Sequence, residues 1–299
     1  MTNSADAARH ALGLRLRELR RAAGLSGRRL AELSGWHESK VSKLEHGATN
    51  PTDPDIRAYA EHTGATAQLP DLLATLHNID TAYLEWRRIL ATGLKRRQQK
   101  SIQIEADTKD IRVYQPQIVP GLLQTAEYAE AKLKRGIEFY RIPNDLAEAV
   151  ATRMERQRIL GRRDHRFHFV IAEQALYTTV GDSDVMMRQL DRLASLTAVA
   201  RMTLGIVPAS AEALVVSSNF AMYDNRLVMV EGTAAELSIT QPREIAIYGR
   251  AFDILAKQSI TGKQARALID TALKRRQEGV GGQAQDTDAG PEAAGGLVD

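Results

Sequence analysis

The sequence predicts two bodies in series: a helical N-terminal region of about seventy residues, then a larger α+β region in which a single mixed sheet is flanked by helices. Three observations predict it. The stretch from Leu25 to Gly47 holds two short helical patterns parted by a glycine. Runs of β-formers occur only in the second half of the chain, at 166–172, 202–207, 219–223 and 227–231. Around and after them, 144–160, 184–200, 243–257 and 262–277 carry apolar residues at helical spacing.

Residues 1–9 read as a flexible leader. A helix is expected from Ala11 to Ala23, with Leu12, Leu16 and Leu19 on one side, Arg15, Arg17, Arg20 and Arg21 largely on the other, and Gly24 ending it. Ser26 is an N-cap residue before a helix carrying Leu30, Ala31 and Leu33, and Gly35 supplies a residue able to take positive φ in the turn that follows. In the next helix Val41 and Leu44 share one face, which leaves Glu38, Ser39, Lys40 and Lys43 projecting away, and Gly47 ends it. After turn residues, Asp53 is placed to cap a helix with Pro54 at its first position and Ile56, Tyr59 and Ala60 turned inward, closed by Gly64. A fifth helix, about Pro70 to Leu76, adds Leu72, Leu73 and Leu76 to the small core.

Residues 12–80 resemble the five-helix DNA-binding domain of phage-repressor and xenobiotic-response-element (XRE) regulators, and the wording Ser-Gly-Trp-His-Glu-Ser-Lys-Val-Ser-Lys-Leu-Glu-His-Gly resembles its actinobacterial version. The resemblance implies a repressor-like helix-turn-helix domain over residues 10–80 whose second motif helix, about 38–46, enters the major groove of double-stranded DNA. There Glu38, Ser39, Lys40 and Lys43 face base edges, Lys43 donating to guanine and Glu38 accepting from cytosine. The amide end of the first motif helix at Ser26 and Arg28, with Arg29, is expected to hold phosphate; relatives often open that helix with glutamine where this chain has Gly27. In the family a basic residue of helix one pairs with the acid closing the recognition helix, positions held here by Arg20 and Glu45.

Residues 81–112 read as a helical connector in which Tyr83, Trp86, Leu90 and Leu94 trace an apolar edge and Gly93 is a candidate break. Six basic residues and no acid lie between Arg87 and Lys100, suited either to the DNA backbone or to a solvated face, while the aromatics read as packing residues. From Tyr114 the text Tyr-Gln-Pro-Gln-Ile-Val-Pro-Gly-Leu-Leu-Gln-Thr-Ala-Glu-Tyr-Ala excludes a continuous helix until after Pro120-Gly121. This block, with 153–160, 167–176 and 202–208, resembles the C-terminal domain of a large actinobacterial regulator group, Scr-type and described as toxin-antitoxin-like. That resemblance implies a regulatory or partner-binding domain over 113–277 and a small acidic partner protein encoded nearby. Asp224-Asn225 is the expected hairpin turn. Residues 278–299, rich in Gly, Ala, Gln and Asp, read as a disordered tail.

Composition narrows the function classes. Apolar residues make up 43% and charged residues 26%, ordinary for a globular chain, and cysteine is absent, which removes disulfides and thiolate chemistry together. No window offers the roughly 18 apolar residues of a membrane span, and no signal core opens the chain, so a cytoplasmic location is expected. The charge is unevenly spread: Arg9 to Gly47 holds nine Lys or Arg against four acids, whereas 278–299 holds five acids and no base. Nucleophile-elbow, phosphate-loop and dinucleotide glycine motifs are missing from the sequence. His165 and His168 fall on opposite faces of a strand, and Glu173, Asp182 and Asp184 read as surface carboxylates, so neither enzyme, metal nor cofactor is expected. The expected function is a sequence-specific DNA-binding transcription regulator, homodimeric, whose C-terminal domain receives a partner or ligand signal. The alternative is an antitoxin-like module that sequesters a partner, with DNA binding secondary.

Overall fold

The computed structural model describes residues 4–77, 83–212 and 218–286. Five helices come first: α1 (Ser4–Ala22), α2 (Gly27–Ser34), α3 (Glu38–Glu45), α4 (Asp53–His62) and α5 (Leu69–His77). They enclose a core of Leu12, Leu16, Leu30, Val41, Leu44, Ile56 and Tyr59. Two boundaries differ from the expectation. Residues 4–9 extend α1 and are not a leader, because the helix N-terminal to Leu12 lies against the end of α3. The cap of α4 is Thr52, whose hydroxyl accepts from Asp55 N–H while the Asp55 carboxylate accepts from Thr52 N–H, a reciprocal arrangement that leaves Asp53 inside the helix.

The close approach of α1 to α3 is made at Gly13. A Cβ there would lie 2.6 Å from the Glu45 carbonyl oxygen and 2.7 Å from that of Leu44, well inside contact distance. Gly13→Ala is therefore expected to push α1 off α3 and cost about 1–3 kcal/mol, read as a fall in the melting midpoint of the N-terminal domain; an unchanged midpoint would contradict the contact.

The rest of the described chain follows as β1 (Tyr83–Glu85), α6 (Trp86–Ile89), α7 (Lys95–Ala106), β2 (Asp110–Gln115), α8 (Ala126–Tyr140), α9 (Leu146–Arg156), β3 (Arg166–Ala172), α10 (Gln174–Tyr177), α11 (Ser183–Leu196), β4 (Met202–Val207), β5 (Phe220–Tyr223), β6 (Leu227–Glu231), β7 (Ala235–Ile239), α12 (Pro242–Gln258) and α13 (Gly262–Asp286). One mixed sheet runs in the order β1-β7-β6-β5-β2-β3-β4, with β2, β3 and β4 parallel and the remaining pairings antiparallel. Alternation along the strands builds two cores. Ile111, Phe167, Phe169, Leu204 and Met229 face α11 and α13, while Tyr114, Val170, Phe220, Met222 and Val228 face α12. The β5–β6 hairpin turns at Asp224, which adopts a φ of 50°.

The expected helical connector 81–112 is corrected by three of these elements. β1 joins the sheet edge, β2 is an interior strand between β5 and β3, and α7 packs along α9, so this stretch is part of the second body. Trp86, Leu90 and Leu94 form a small core with Leu133 and Ala149, and the Trp86 indole N–H donates to the Gly232 carbonyl at 2.7 Å. The side chain of Tyr83 lies outside the described residues. At the other end α13 continues to Asp286, nine residues into the expected tail, and 287–299 lie outside the described residues. The two bodies meet where α5 abuts α12: Asp71 accepts from Arg243 N–H at 3.1 Å and pairs with its guanidinium at 3.2 Å.

Candidate nucleic-acid interface

The turn between α2 and α3 is built locally. Ser26 Oγ accepts from Arg29 N–H at 3.0 Å and caps α2. Gly35, at φ 68° and ψ 30°, reverses the chain in the left-handed region, and Trp36 N–H donates back to Ala31. Leu30, Ala31, Val41 and Leu44 are buried, which leaves one face of α3 with no internal contact to make.

On that face the four residues expected to meet bases divide. Glu38, Ser39 and Lys43 are exposed and make no side-chain hydrogen bond or ion pair among the described residues. Lys40 is half-exposed but engaged: its Nζ reaches Asp55 Oδ1 of α4 at 2.6 Å and lies 4.5 Å from the centre of the Trp36 ring. Asp55 is itself almost buried; burial pushes its carboxyl up, but Lys40 and the Thr52 donors outweigh that, and the net direction is down. Lys40 thus ties the recognition helix to α4. Two phosphate candidates, Arg28 and Arg29, are exposed at the start of α2, and both reach Glu32 on the next turn at 3.2 Å. Such exposed pairs are weak enough for a phosphate to displace.

Beneath α3 lies an ion pair joining three helices. Arg20 meets Glu45 through two parallel bonds of 2.5 and 2.7 Å, Tyr59 hydroxyl donates to Glu45 Oε1 at 2.9 Å, and a third Arg20 donor reaches the Leu25 carbonyl at 2.7 Å. Glu45 is 4% exposed and Arg20 12%. Burial pushes the Glu45 carboxyl up, yet the bonds from Arg20 and Tyr59, with the charges of Arg20 and Arg17, hold it below the usual carboxylate range. The supporting residues Asp55 and Tyr59 escaped sequence reasoning because each reads as an ordinary helix residue. Only the packing of α4 brings them under α3.

Residues 11–74 match the family model described as a helix-turn-helix domain, so this module is of the DNA-binding type. Residues 98–271, more than half of the chain, match the model described as a domain of unknown function, DUF5753. The chain belongs to the DUF5753 family. No curated protein matches it. Among solved structures, that of TrmBL2, an archaeal chromatin protein with a novel mode of DNA binding, aligns over 82% of this chain and 93% of its own at 9% identity and a TM-score of 0.30.

Within the DUF5753 domain, the candidate acid and histidine residues have structural surroundings. Asp182 caps α11 by accepting from Val185 N–H, and Glu173 accepts from Ala209 N–H. His165 stacks against Phe167, whereas His168 meets Phe252 on the other side of the sheet. No helix among the described residues is long and apolar enough to cross a membrane. Of the basic run, Arg97 is turned inward to Glu236 and Glu231, while Lys95, Arg96 and Lys100 are exposed.

Proposed function

We propose that the chain is a sequence-specific transcription regulator of the XRE type that binds double-stranded DNA through α3. The DUF5753 domain serves as the receiver of a partner or ligand signal and contributes to a homodimer. It acts by binding and not by catalysis, inside the cytoplasm. The observation that carries the reading is the free face of α3: Glu38, Ser39 and Lys43 are exposed, unpaired among the described residues, and mounted on a helix held from below by Arg20, Glu45, Asp55 and Tyr59. Two copies are favoured because one helix reads few base pairs, and a dimer doubles the site with half-sites about 34–36 Å apart.

The test is selection of genomic fragments by the purified full-length chain at physiological salt, followed by affinities measured across a salt series. One inverted-repeat sequence is expected to be enriched. Its affinity should fall steeply with salt while staying at least about 10³-fold above that for unrelated DNA. Weak binding equal on all fragments would overturn the regulator and favour an antitoxin-like module whose main work is to sequester a small acidic partner.

A further inference from the structure

A cavity of about 570 Å³ opens inside the DUF5753 domain, within the size range of sites for small organic molecules. Its walls come from α6, α7, β2 and the segment after it, α8, α9 and the strands β3, β5 and β6. Part of the lining is apolar, including Trp86, Leu90, Val113, Leu133 and Phe169. Three arginines also line it, and their partners differ. Arg156 is held by two bonds to Glu105 at 2.5 and 2.7 Å, and Arg97 pairs with Glu236 at 2.5 Å and Glu231 at 3.1 Å. Arg153 has no carboxylate within ion-pair reach among the described residues. Its Nη1 donates to Gln124 Oε1 at 2.7 Å and its Nε to Gln98 Oε1 at 3.3 Å, while its Nη2 makes no hydrogen bond among the described residues.

Arg153 is half-buried, and the neutral amides of Gln98 and Gln124 do not cancel its charge; Glu231 and Glu105 act on it only from beyond ion-pair distance and are already engaged by Arg97 and Arg156. Burial, and then the like charge of Arg156, push the Arg153 guanidinium down to about 9. Beside it the backbone leaves room. A Cβ on Gly121 would sit 3.8 Å from Arg153 Cζ and 3.8 Å from Arg156 Nη1, so the absent side chain keeps the approach to both guanidinium groups open. Lys132 lines the same cavity and adds a further cation.

We propose that this cavity binds a small organic carboxylate, its anionic group paired with Arg153 and its apolar body against the wall formed by Trp86, Leu133 and Val113. The site deepens the signal-receiving role proposed above and rests on that reading only for its consequence at DNA. The ligand supplies the counter-charge that Arg153 lacks, and the apolar wall supplies affinity that inorganic anions would not gain.

The experiment is calorimetric titration of the full-length chain, without DNA, with 2-naphthoate and with 2-naphthamide, its neutral counterpart of the same shape. The naphthoate is expected to bind at least tenfold more tightly than the amide. Arg153→Gln should bind the two alike. Gly121→Met removes no polar contact and places a side chain over the guanidinium groups, so it should lose naphthoate binding while its thermal transitions persist; it keeps the test decisive if Arg153→Gln does not fold. Wild-type protein that binds neither probe, or binds the amide as tightly, overturns the site, as does naphthoate binding that survives in folded Gly121→Met. Affinity for the selected DNA fragment, measured without probe, is a separate readout: its absence counts against the regulator and leaves the anion site standing.

Discussion

Lys43→Ala is expected to lower affinity of the dimer for the selected DNA site by at least about 30-fold, the ~1–3 kcal/mol of one good base contact being lost in each of the two half-sites. It should also relax sequence preference at a single base pair of each half-site while leaving the melting midpoint unchanged. The reason is that Lys43 is exposed and has no partner within the described protein, so its removal costs the fold nothing. Lys40→Ala, three residues earlier on the same helix, should behave differently. Lys40 bridges to the nearly buried Asp55 and covers Trp36, so its loss should lower the melting midpoint and weaken all sites together, with the selected sequence unchanged. A repeat of the fragment selection with each variant separates them. A Lys40→Ala protein that relaxes one base position, or a Lys43→Ala protein with wild-type affinity, would remove the assignment.

Arg20→Ala should unfold the N-terminal domain far more readily than any substitution on the DNA-facing surface. It leaves Glu45 buried with Tyr59 as its remaining hydrogen-bond donor and the Arg17 guanidinium 3.9 Å away, and breaking a buried pair from one side costs about 3–5 kcal/mol. In a domain of this size each kcal/mol moves the midpoint by roughly 4–8 °C, so a fall of more than about 10 °C is expected. The chain has two tryptophans, and they report separately: Trp36 lies against Tyr59 under the recognition helix, and Trp86 lies in the core of the second body. Only the Trp36 transition should move. Arg20→Met with Glu45→Met should recover part of the loss, since the cost lies in leaving one charge alone and not in lacking the pair.

The same pair sets a pH dependence of known sign. Because the Glu45 carboxyl titrates below its unfolded value of about 4.3, its contribution is fully present above that value and is lost as pH falls through the lower folded value. Arg20→Ala should therefore flatten the acid limb of the Trp36 transition. A limb of unchanged steepness would show that other carboxylates control acid unfolding.

Local chemistry was legible in the sequence wherever neighbours along the chain decide it. Ser26 capping α2, Gly35 turning into α3, and the strands 166–172, 202–207 and 227–231 all depend on residues within a few positions of one another. β1, β2 and β7 were not legible. They are short or carry charge, as in Asp-Ile-Arg-Val-Tyr-Gln, and they become strands because the neighbours they pair with are supplied from as far as 154 residues away, as Leu237 is from Tyr83.

For the interface the division is similar. The sequence by itself determined that a helix-turn-helix unit stands at the N-terminal end and which residues can lie on the outer face of its second helix, because helical periodicity and turn chemistry are properties of adjacent residues. Tertiary structure decided which of those residues are free. Lys40 and Lys43 are the same residue type on the same helix, and only the position of Asp55 on α4 makes one a brace and leaves the other open. It also decided that Arg153 of α9 and Gln98 of α7 meet beside the open space at Gly121, since a cavity is defined by groups distant in sequence whose charges balance only in three dimensions.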